Sequence, residues 1–407
     1  MARITYQKLE DHGPLYWGLL AFHGLVILAG LGAAYVMEHR GHVITGMTNQ
    51  IVWGTPHVFA VFLIVAASGA LNVASVSSVF NRPEYKPYAR LSGLLAIALL
   101  VGGLCVLVLD LGRPDRLIVA MTTYNFKSIF AWNIFLYVGL LVIVAAYLFA
   151  MMDRSVSRAT LVGKAVGWLA FAWRLILTTG TGSIFGWLAA REAYDAAIMA
   201  PLFIAASLLY GLAFTVLVLA TAGQQSRQGL VSDEMVGKFR GLLAIFALAV
   251  FYFTAVHHLT NLYASEHHGV ERFFLLEGGI YTAVFWIGQI VVGTILPLAI
   301  LAAPMYGKSR AAITVASVLF LIGGLAQLYV IIIGGQAYPL NLFPGMEVTS
   351  SFQDGQVARY RPSLPEVLLG LSGLSIAMFL TGIAFKLLPF LPRPVDDQGA
   401  SRAPVAA

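Results

Sequence analysis

The sequence predicts an all-α, polytopic membrane protein in which about ten transmembrane helices form one bundle over residues 1–390. The first observation is composition: of 407 residues, 59% are hydrophobic and only 11% are charged. Soluble domains are roughly a quarter charged, and a soluble fold of this length could not bury so much apolar surface, so a soluble enzyme is excluded. The second observation is a set of long apolar runs, each near the roughly 20 residues that span a bilayer as a helix.

Ten runs reach a spanning length, and each predicts one helix. They lie at Leu15–Met37, Thr55–Phe80, Leu91–Leu111, Ser128–Met151, Gly163–Ala189, Ala196–Ala220, Gly241–Ser265, Gly278–Met305, Ala311–Gly334 and Leu364–Leu388. The tail at 391–407 is rich in Pro, Asp and Ala and is predicted to be disordered. The long connection at 335–363 holds prolines, glycines and aromatics, a composition typical of a docking surface.

The distribution of positive charge predicts the orientation of the protein. An even number of spans places both termini on one side, and that side carries sixteen of the 25 Lys and Arg residues against eight on the other. The positive-inside rule then places both termini in the cytoplasm. We expect a multi-pass protein of a bacterial inner membrane. In a membrane protein a net charge of +6 usually reflects topology and not nucleic-acid binding. Membrane lipid is therefore an expected partner, and nucleic acid is not.

Cysteine usage limits the cofactors that this protein can hold. Cys105 is the single cysteine and lies within an apolar run. The protein therefore has no disulfide framework, no zinc site made of cysteines and no iron–sulfur cluster held by its own ligands alone.

Titratable residues collect at the predicted outer side of the membrane. His57, His258, Asp110 and Glu277 lie slightly inside the ends of apolar runs, and His257 precedes His258. Ionisable groups are costly in a bilayer and tend to line polar cavities, and a histidine beside a carboxylate can exchange protons. This pattern indicates redox chemistry with proton exchange at the outer face, the alternative being that these groups are simply solvated.

Arg174 is exceptional because it lies within a span, about ten residues and so roughly 15 Å from the start of its helix. It is predicted to pair with a carboxylate or a carbonyl oxygen, or to line a wet cavity. The following Thr and Gly residues, from Thr178 to Gly186, predict either close helix packing or a polar path.

The segment Asp110–Arg116, with the sequence DLGRPDR, is the sharpest local motif. Gly112 permits the helix to end and Pro114 prevents it from continuing. Arg113 and Arg116 are then expected at the membrane surface beside Asp110, where guanidinium donors and a carboxylate together suit a carbonyl headgroup. The alternative is a helix end whose charges reach into the lipid headgroups.

These motifs resemble the NrfD/polysulfide-reductase family of quinone-interacting membrane subunits. The resemblance rests on four segments: Asp110–Arg116, Tyr124–Trp132, Trp53–His57, and Phe285–Gly293 with the following Pro297. The long outer loop and the Pro365–Glu366 start of the last span resemble the ten-helix branch, and within it the DsrP-type subunit of the Dsr complex of sulfur metabolism.

Together with the polar residues, the resemblance predicts a quinone site at the outer ends of the second, third, seventh and eighth spans. Asp110 and Glu277 are expected to exchange protons with the headgroup, with His57 and His258 bonding its carbonyls or relaying protons. Arg113 and Arg116 are expected to tune the headgroup or anchor a partner. Further candidates for binding the quinone, menaquinone or ubiquinone, are His257, Arg174 and Tyr281.

The resemblance also implies the partners of the protein. They are a periplasmic ferredoxin-like iron–sulfur subunit, a multihaem cytochrome c, a haem-b membrane subunit and a cytosolic iron–sulfur subunit. The protein itself is expected to hold no haem, metal or iron–sulfur cluster.

Three other functions fit parts of the sequence. A haem-b protein would use His57 and His258 as axial ligands. A secondary transporter or proton channel would use Arg174 and an interrupted Gly/Thr stretch of helix. A purely structural anchor would tolerate replacement of the outer polar residues.

Overall fold

The computed structural model confirms an all-α bundle of membrane-spanning helices. It describes residues 6–10, 13–152, 160–226, 229–303, 309–340 and 355–393. The long helices are α1 (Pro14–Arg40), α2 (Thr55–Ser78), α3 (Pro83–Leu109), α4 (Ile129–Met152), α5 (Thr160–Ile184), α6 (Met199–Ser226), α7 (Asp233–Tyr263), α8 (Ile280–Ala302), α9 (Arg310–Ala337) and α10 (Leu364–Leu387). Of these ten helices, all except α5 are long and apolar enough to cross a membrane, so the described residues contain nine such helices.

Each predicted apolar run corresponds to one of these helices, α5 included. α5 is 25 residues long and packs against both α4 and α6, so it runs alongside its neighbours. α2 is interrupted at Leu71, and the first turns of α3, Pro83–Tyr88, are 3₁₀-helical. The agreement follows because apolar length alone decides which segments can span a bilayer.

The helices pack in two groups of four. In the first group α2 contacts α3 and α5, and α4 contacts α3 and α5. The second group, α6–α9, is closed in the same way, with α6 against α7 and α9 and with α8 against α9. α10 packs on α1, α2 and α3, so the outermost helices α1 and α10 cover one flank of the first group.

The two groups meet where α2 packs on α6. These two are the most buried of the nine long apolar helices of the described residues, with 89% and 83% of an 18-residue stretch of each inside the protein. A side chain at Gly69 would overlap the backbone of Ser207, and one at Gly211 would overlap the backbone of Gly69 and Ala70. Small residues thus let the two backbones approach closely, which is how helices associate in a bilayer without a hydrophobic driving force.

The two ends of the described structure meet at the same end of the bundle. Tyr6–Gln7 and Leu391–Pro392 form a short antiparallel strand pair, and Leu391 is fully buried. This arrangement requires an even number of crossings, as the sequence predicts. The predicted disordered tail therefore does not include Leu391 and Pro392, because strand pairing and burial hold them; residues 394–407 lie outside the described residues.

Three segments of π-helix lie in the second group, and the sequence analysis did not predict them. They are Phe273–Glu277, before α8, Val284–Ile295 within α8, and Val330–Gly334 within α9. Pro297 has no N–H for the carbonyl of Gly293, so a regular α-helical ladder cannot continue through this point. Widened helical turns of this kind occur often at functional sites, and here they carry the outer ends of α8 and α9.

Candidate functional site

His57 and Asp110 form a buried acid–imidazole pair between α2 and α3, at the end of the bundle opposite the paired strands Tyr6–Gln7 and Leu391–Pro392. His57 Nδ1 lies 2.7 Å from Asp110 Oδ2, and the Asp110 side chain is completely buried. The approach is close but not aligned as a hydrogen bond, so neither carboxylate oxygen of Asp110 accepts one from the described residues. A buried carboxylate without donors is costly, and His57 is the group placed to compensate it or to share its proton.

The turn after α3 explains why Asp110 can be held there. α3 ends at Leu109 and Asp110 is its C-terminal cap residue. Gly112 follows with φ of +67°, and a side chain at this position would come within 3.0 Å of His42 Nε2. Glycine therefore reverses the backbone at once, which leaves the Asp110 side chain facing the bundle and not the solvent.

His57 lines an apolar cavity in the first helix group. The cavity has a volume of about 350 Å³, within the usual range of small-molecule pockets. Besides His57 it is lined by Trp53, Val61, Ile64, Leu104, Leu107, Val108, Leu111, Leu117, Met121, Phe130, Asn133, Ile134, Tyr137, Val138, Ile184, Phe185 and Ile332. Asp110 is not among the lining residues, so its carboxylate communicates with the cavity through His57.

Trp53 forms the aromatic wall of this cavity beside His57. Its ring stacks on the imidazole at a centroid distance of 6.3 Å and contacts Phe130 at 5.4 Å and Phe185 at 5.9 Å. Tyr194 stacks on the same ring at 6.2 Å. The site thus has a flat aromatic surface next to its titratable group, suited to a planar ring ligand.

Gln336 of α9 fixes the backbone that carries Trp53. Its side-chain oxygen accepts hydrogen bonds from the N–H groups of Val52 and Trp53, at 2.9 and 3.0 Å. Its amide nitrogen donates to the Trp53 carbonyl at 3.0 Å. Arg191 donates to the carbonyls of Gln336 and Gln50. The second helix group therefore holds the loop that precedes α2 in the first.

Arg113 and Arg116 do not face Asp110, which corrects the expectation that they lie beside it. The Arg113 Nε lies 3.1 Å from Asp115 Oδ1, both side chains are about 60% exposed, and Arg116 is exposed too. The hydrogen bond from Arg113 lowers the pKa of the Asp115 carboxyl. A guanidinium is better solvated in this surface pair than beside a buried apolar wall, and His57 takes the place next to Asp110.

His257 and His258 form a second polar cluster, in the α6–α9 group. His258 Nδ1 lies 2.6 Å from Glu271 Oε2, and Asn261 donates to Glu271 Oε1 at 2.9 Å. Glu271 is fully buried. Glu271 could not be recognised from its place in the sequence, because it lies in a polar connection, where a carboxylate is normally solvated. The polarity of His267, His268 and Glu271 together was the available signal.

Glu277 and Tyr281 line a different cavity, which has a volume of about 960 Å³ and lies between α2, α8 and α9. Glu277 is 57% exposed and pairs with Arg272 at 2.6 Å. Tyr281 donates to the Ala358 carbonyl at 3.4 Å. Tyr360 lines the same cavity and donates to the buried Glu366 at 2.6 Å. Burial and this hydrogen bond raise the pKa of Tyr360 above its ordinary value.

Arg174 is buried in α5, with 2% of its surface exposed, and does not line the 350 Å³ cavity. Its Nη2 donates to the amide oxygen of Asn72 at 2.8 Å, which confirms the predicted carbonyl partner. Its guanidinium also lies 4.8 Å from the Phe171 ring centre. α5 is continuous up to Ile184, so the described part of this helix is not interrupted between Thr178 and Ser183, where a transporter would have its break.

Six of the nine predicted site residues therefore fall into three separate clusters instead of one, and Arg113, Arg116 and Arg174 lie outside these clusters. Asp110 joins His57, His258 joins His257 and Glu271, and Glu277 joins Tyr281. The cavity beside Asp110 lies between α2, α3, α4 and α5, not between the second, third, seventh and eighth helices as expected. His57 and His258 contact different carboxylates and line different cavities, an arrangement that does not suit two axial ligands of one haem.

Comparison with known proteins finds relatives across nearly the whole sequence. The Hdr-like menaquinol oxidoreductase integral membrane subunit of Archaeoglobus fulgidus is 28% identical over 97% of this protein and 98% of its own length. A subunit of the selenate reductase of Mesobacillus selenatarsenatis is 25% identical, with 92% and 94% covered. A component of the polysulfide reductase of Wolinella succinogenes is 23% identical, with 71% and 96% covered.

The family comparison agrees with the fold and with the motifs that form the site. The match to the polysulphide reductase family, NrfD, runs over residues 43–339. It includes His57, Asp110 and the turn after α3, as well as both four-helix groups. The chain therefore belongs to the NrfD polysulphide reductase family of membrane proteins.

Proposed function

We propose that this protein is the quinone-binding integral membrane subunit of an electron-transfer complex, with the quinone headgroup in the cavity of the first helix group. The observation that carries the proposal is the buried His57–Asp110 pair beside the aromatic wall of an otherwise apolar cavity. The titratable pair suits the headgroup, and the aliphatic lining suits an isoprenoid tail. Relatives named as menaquinol oxidoreductase and selenate and polysulfide reductase components support the same function.

The geometry suggests how the residues handle protons. Oxidation of a bound quinol would release two electrons to the iron–sulfur partner and two protons, which His57 would accept one after the other. Because the Nδ1 of His57 faces Asp110, its Nε2 is the ring nitrogen left to contact a headgroup hydroxyl. His57 then takes a proton as a general base, while Asp110 stabilises the resulting imidazolium in a water-poor environment. In the reverse direction the same pair donates the proton.

The partners follow from the family and from the orientation predicted by positive charge. We assign the His57 end of the bundle to the periplasmic side of a bacterial cytoplasmic membrane, where a ferredoxin-like iron–sulfur subunit would exchange electrons with the quinone pool. A DsrP-type role in sulfur metabolism adds a multihaem cytochrome c, a haem-b subunit and a cytosolic iron–sulfur subunit. The exposed Arg113–Asp115 pair lies at this end, as a polar contact for the periplasmic partner.

Site-directed substitution of the pair tests this function. Asp110→Asn and His57→Gln should each lower quinol-dependent electron transfer by about 10²–10⁴-fold, the usual contribution of a general base. Both variants should still enter the membrane and assemble with their partners. His39→Gln, which changes an exposed histidine of α1, should leave turnover unchanged.

The expected result depends on assembly being measured in the same preparations. Normal turnover in both Asp110→Asn and His57→Gln, with intact complexes, would contradict the proposed site. If turnover is lost together with the complex, the assembly measurement shows that the substitution disrupts folding. A structure of the wild-type complex with a bound quinol-site inhibitor then decides whether the headgroup lies beside His57.

A further inference from the structure

The His257–His258–Glu271 cluster lies outside the proposed quinone site and has the composition of a metal centre. His257 and His258 are on α7, and Glu271 is on the short helix His268–Arg272 that follows it. Each of the three residues offers one ligand atom, and these atoms all lie within 4.8 Å of one another. Two helical segments thus contribute to one convergent group of donors.

These side chains are buried, so solvent water does not explain why polar groups are tolerated at this position. Glu271 has no exposed surface and His257 is 8% exposed. The Nδ1 of His257 is buried and has no hydrogen-bond partner among the described residues. An unsatisfied buried nitrogen is destabilising, so its presence next to a buried carboxylate points to a ligand that both can hold.

The surroundings resemble the outer shell of a metal site. Asn261 donates to Glu271 Oε1 at 2.9 Å, which leaves Oε2 directed at His258. The ring of His258 packs edge-on against Phe285 at a centroid distance of 4.8 Å. Outer-shell hydrogen bonds of this kind orient first-shell ligands.

A small, mostly apolar cavity adjoins the cluster. Its volume is about 30 Å³, and its polar lining residues are His257, His258, Thr254, Gln289 and Gln327. This volume admits one water molecule with polar partners. An ion held by three side chains would therefore have room for a fourth, non-protein ligand.

We propose that His257, His258 and Glu271 bind a divalent transition metal ion, with Zn²⁺ as the best match. Two imidazoles and one carboxylate suit a borderline cation, and three protein ligands plus water give the tetrahedral geometry that Zn²⁺ prefers. An ion between His258 and Glu271 replaces the proton that they share. This proposal differs from the expectation of a protein without metal and does not depend on the quinone site.

The site is tested by metal binding to the full-length protein in detergent, without an affinity tag that contains histidine. After chelator treatment and dialysis against Zn²⁺, the wild type should retain one equivalent. His257→Gln and Glu271→Gln should each weaken binding at least 100-fold, and Asn261→Ala about 10–100-fold, as for outer-shell residues. His268→Gln, an exposed neighbour, should bind as the wild type does.

X-ray absorption of the Zn²⁺-loaded wild type provides a measurement that no variant's folding can affect. The expected shell has N and O ligands at about 2.0–2.2 Å, including two imidazoles. A wild type that retains no Zn²⁺, or one whose bound Zn²⁺ shows a shell without imidazole, would overturn the proposal. So would folded His257→Gln and Glu271→Gln variants that bind Zn²⁺ as tightly as the wild type.

Discussion

The buried contact between Asp110 and His57 depends on the turn that ends α3 and on the packing of α3 against α2. The position of Asp110 at the end of an apolar run, before Gly112 and Pro114, predicts a carboxylate at a helix end, and Asp110 is the C-terminal cap residue of α3. The sequence suggested the nearby arginines as partners because they are adjacent in the sequence. The actual partner, His57, is 53 positions earlier and is brought near by the packing of α2 against α3.

Glu271 and Gln336 illustrate what the residue pattern could not reveal. Glu271 lies in a polar connection, where most carboxylates are solvated, and only the fold shows that it is buried. Gln336 is one neutral amide near the end of α9, and its role depends on contacts with Val52 and Trp53, nearly 300 positions away. Such pairings depend on tertiary packing, which hydrophobic periodicity does not encode.

Gln336 gives a test at the residue scale. Gln336→Ala removes three hydrogen bonds to the backbone of residues 52 and 53, each worth about 0.5–1.5 kcal/mol. Trp53 should then lose its fixed position, so we expect the KM for quinol to rise about tenfold with kcat changed less than threefold. Steady-state kinetics of the assembled complex measure both.

The matched control for this test is Gln224→Ala, which truncates a glutamine near the C-terminal end of α6. It should leave KM and kcat unchanged. An unchanged KM in Gln336→Ala, or a fall in kcat without a rise in KM, would show that Gln336 does not position the aromatic wall.

At the scale of elements, the sequence predicts which segments are helices far better than how they pack. The length of the apolar runs identifies all ten helices. A shorter helix could not cross the hydrocarbon core with all its backbone hydrogen bonds satisfied. The π-helical turns of α8 and α9 and the interruption of α2 depend on side-chain packing and were not predicted. The pairing of α2 with α6 likewise follows from the backbone approach at Gly69 and Gly211.

That pairing gives a prediction for the helix interface. Gly211→Val places a branched side chain against the backbone of Gly69 and Ala70, and overpacking of this kind costs about 1–3 kcal/mol or more. We expect a lower thermal midpoint and a smaller monodisperse fraction in size-exclusion chromatography. Gly18→Val makes the same change on α1, where no atom lies within 4 Å, and should behave as the wild type. Equal stability of the two variants would contradict a tight α2–α6 contact.

At the scale of the whole molecule, the two helix groups hold different chemistry. The first group contains the apolar cavity with His57 and Asp110, and the second contains the His257–His258–Glu271 cluster. Gln336 and Arg191 link the second group to the loop beside the cavity. The meeting of Tyr6–Gln7 with Leu391–Pro392 agrees with an even number of crossings, while the cytoplasmic location of the termini stays a prediction from charge.

The proposed site of the quinone headgroup is the cavity of the first helix group, rather than any other cavity of the described residues. A cryo-electron microscopy structure of the complex with a bound quinol-site inhibitor tests this. We expect density for the ring beside Trp53, with an oxygen about 3 Å from His57, a hydrogen-bond distance, and the tail among the aliphatic residues of α2–α4. Ring density in the larger cavity beside Tyr281 and Tyr360, with the His57 cavity free of it, would show that the headgroup binds elsewhere.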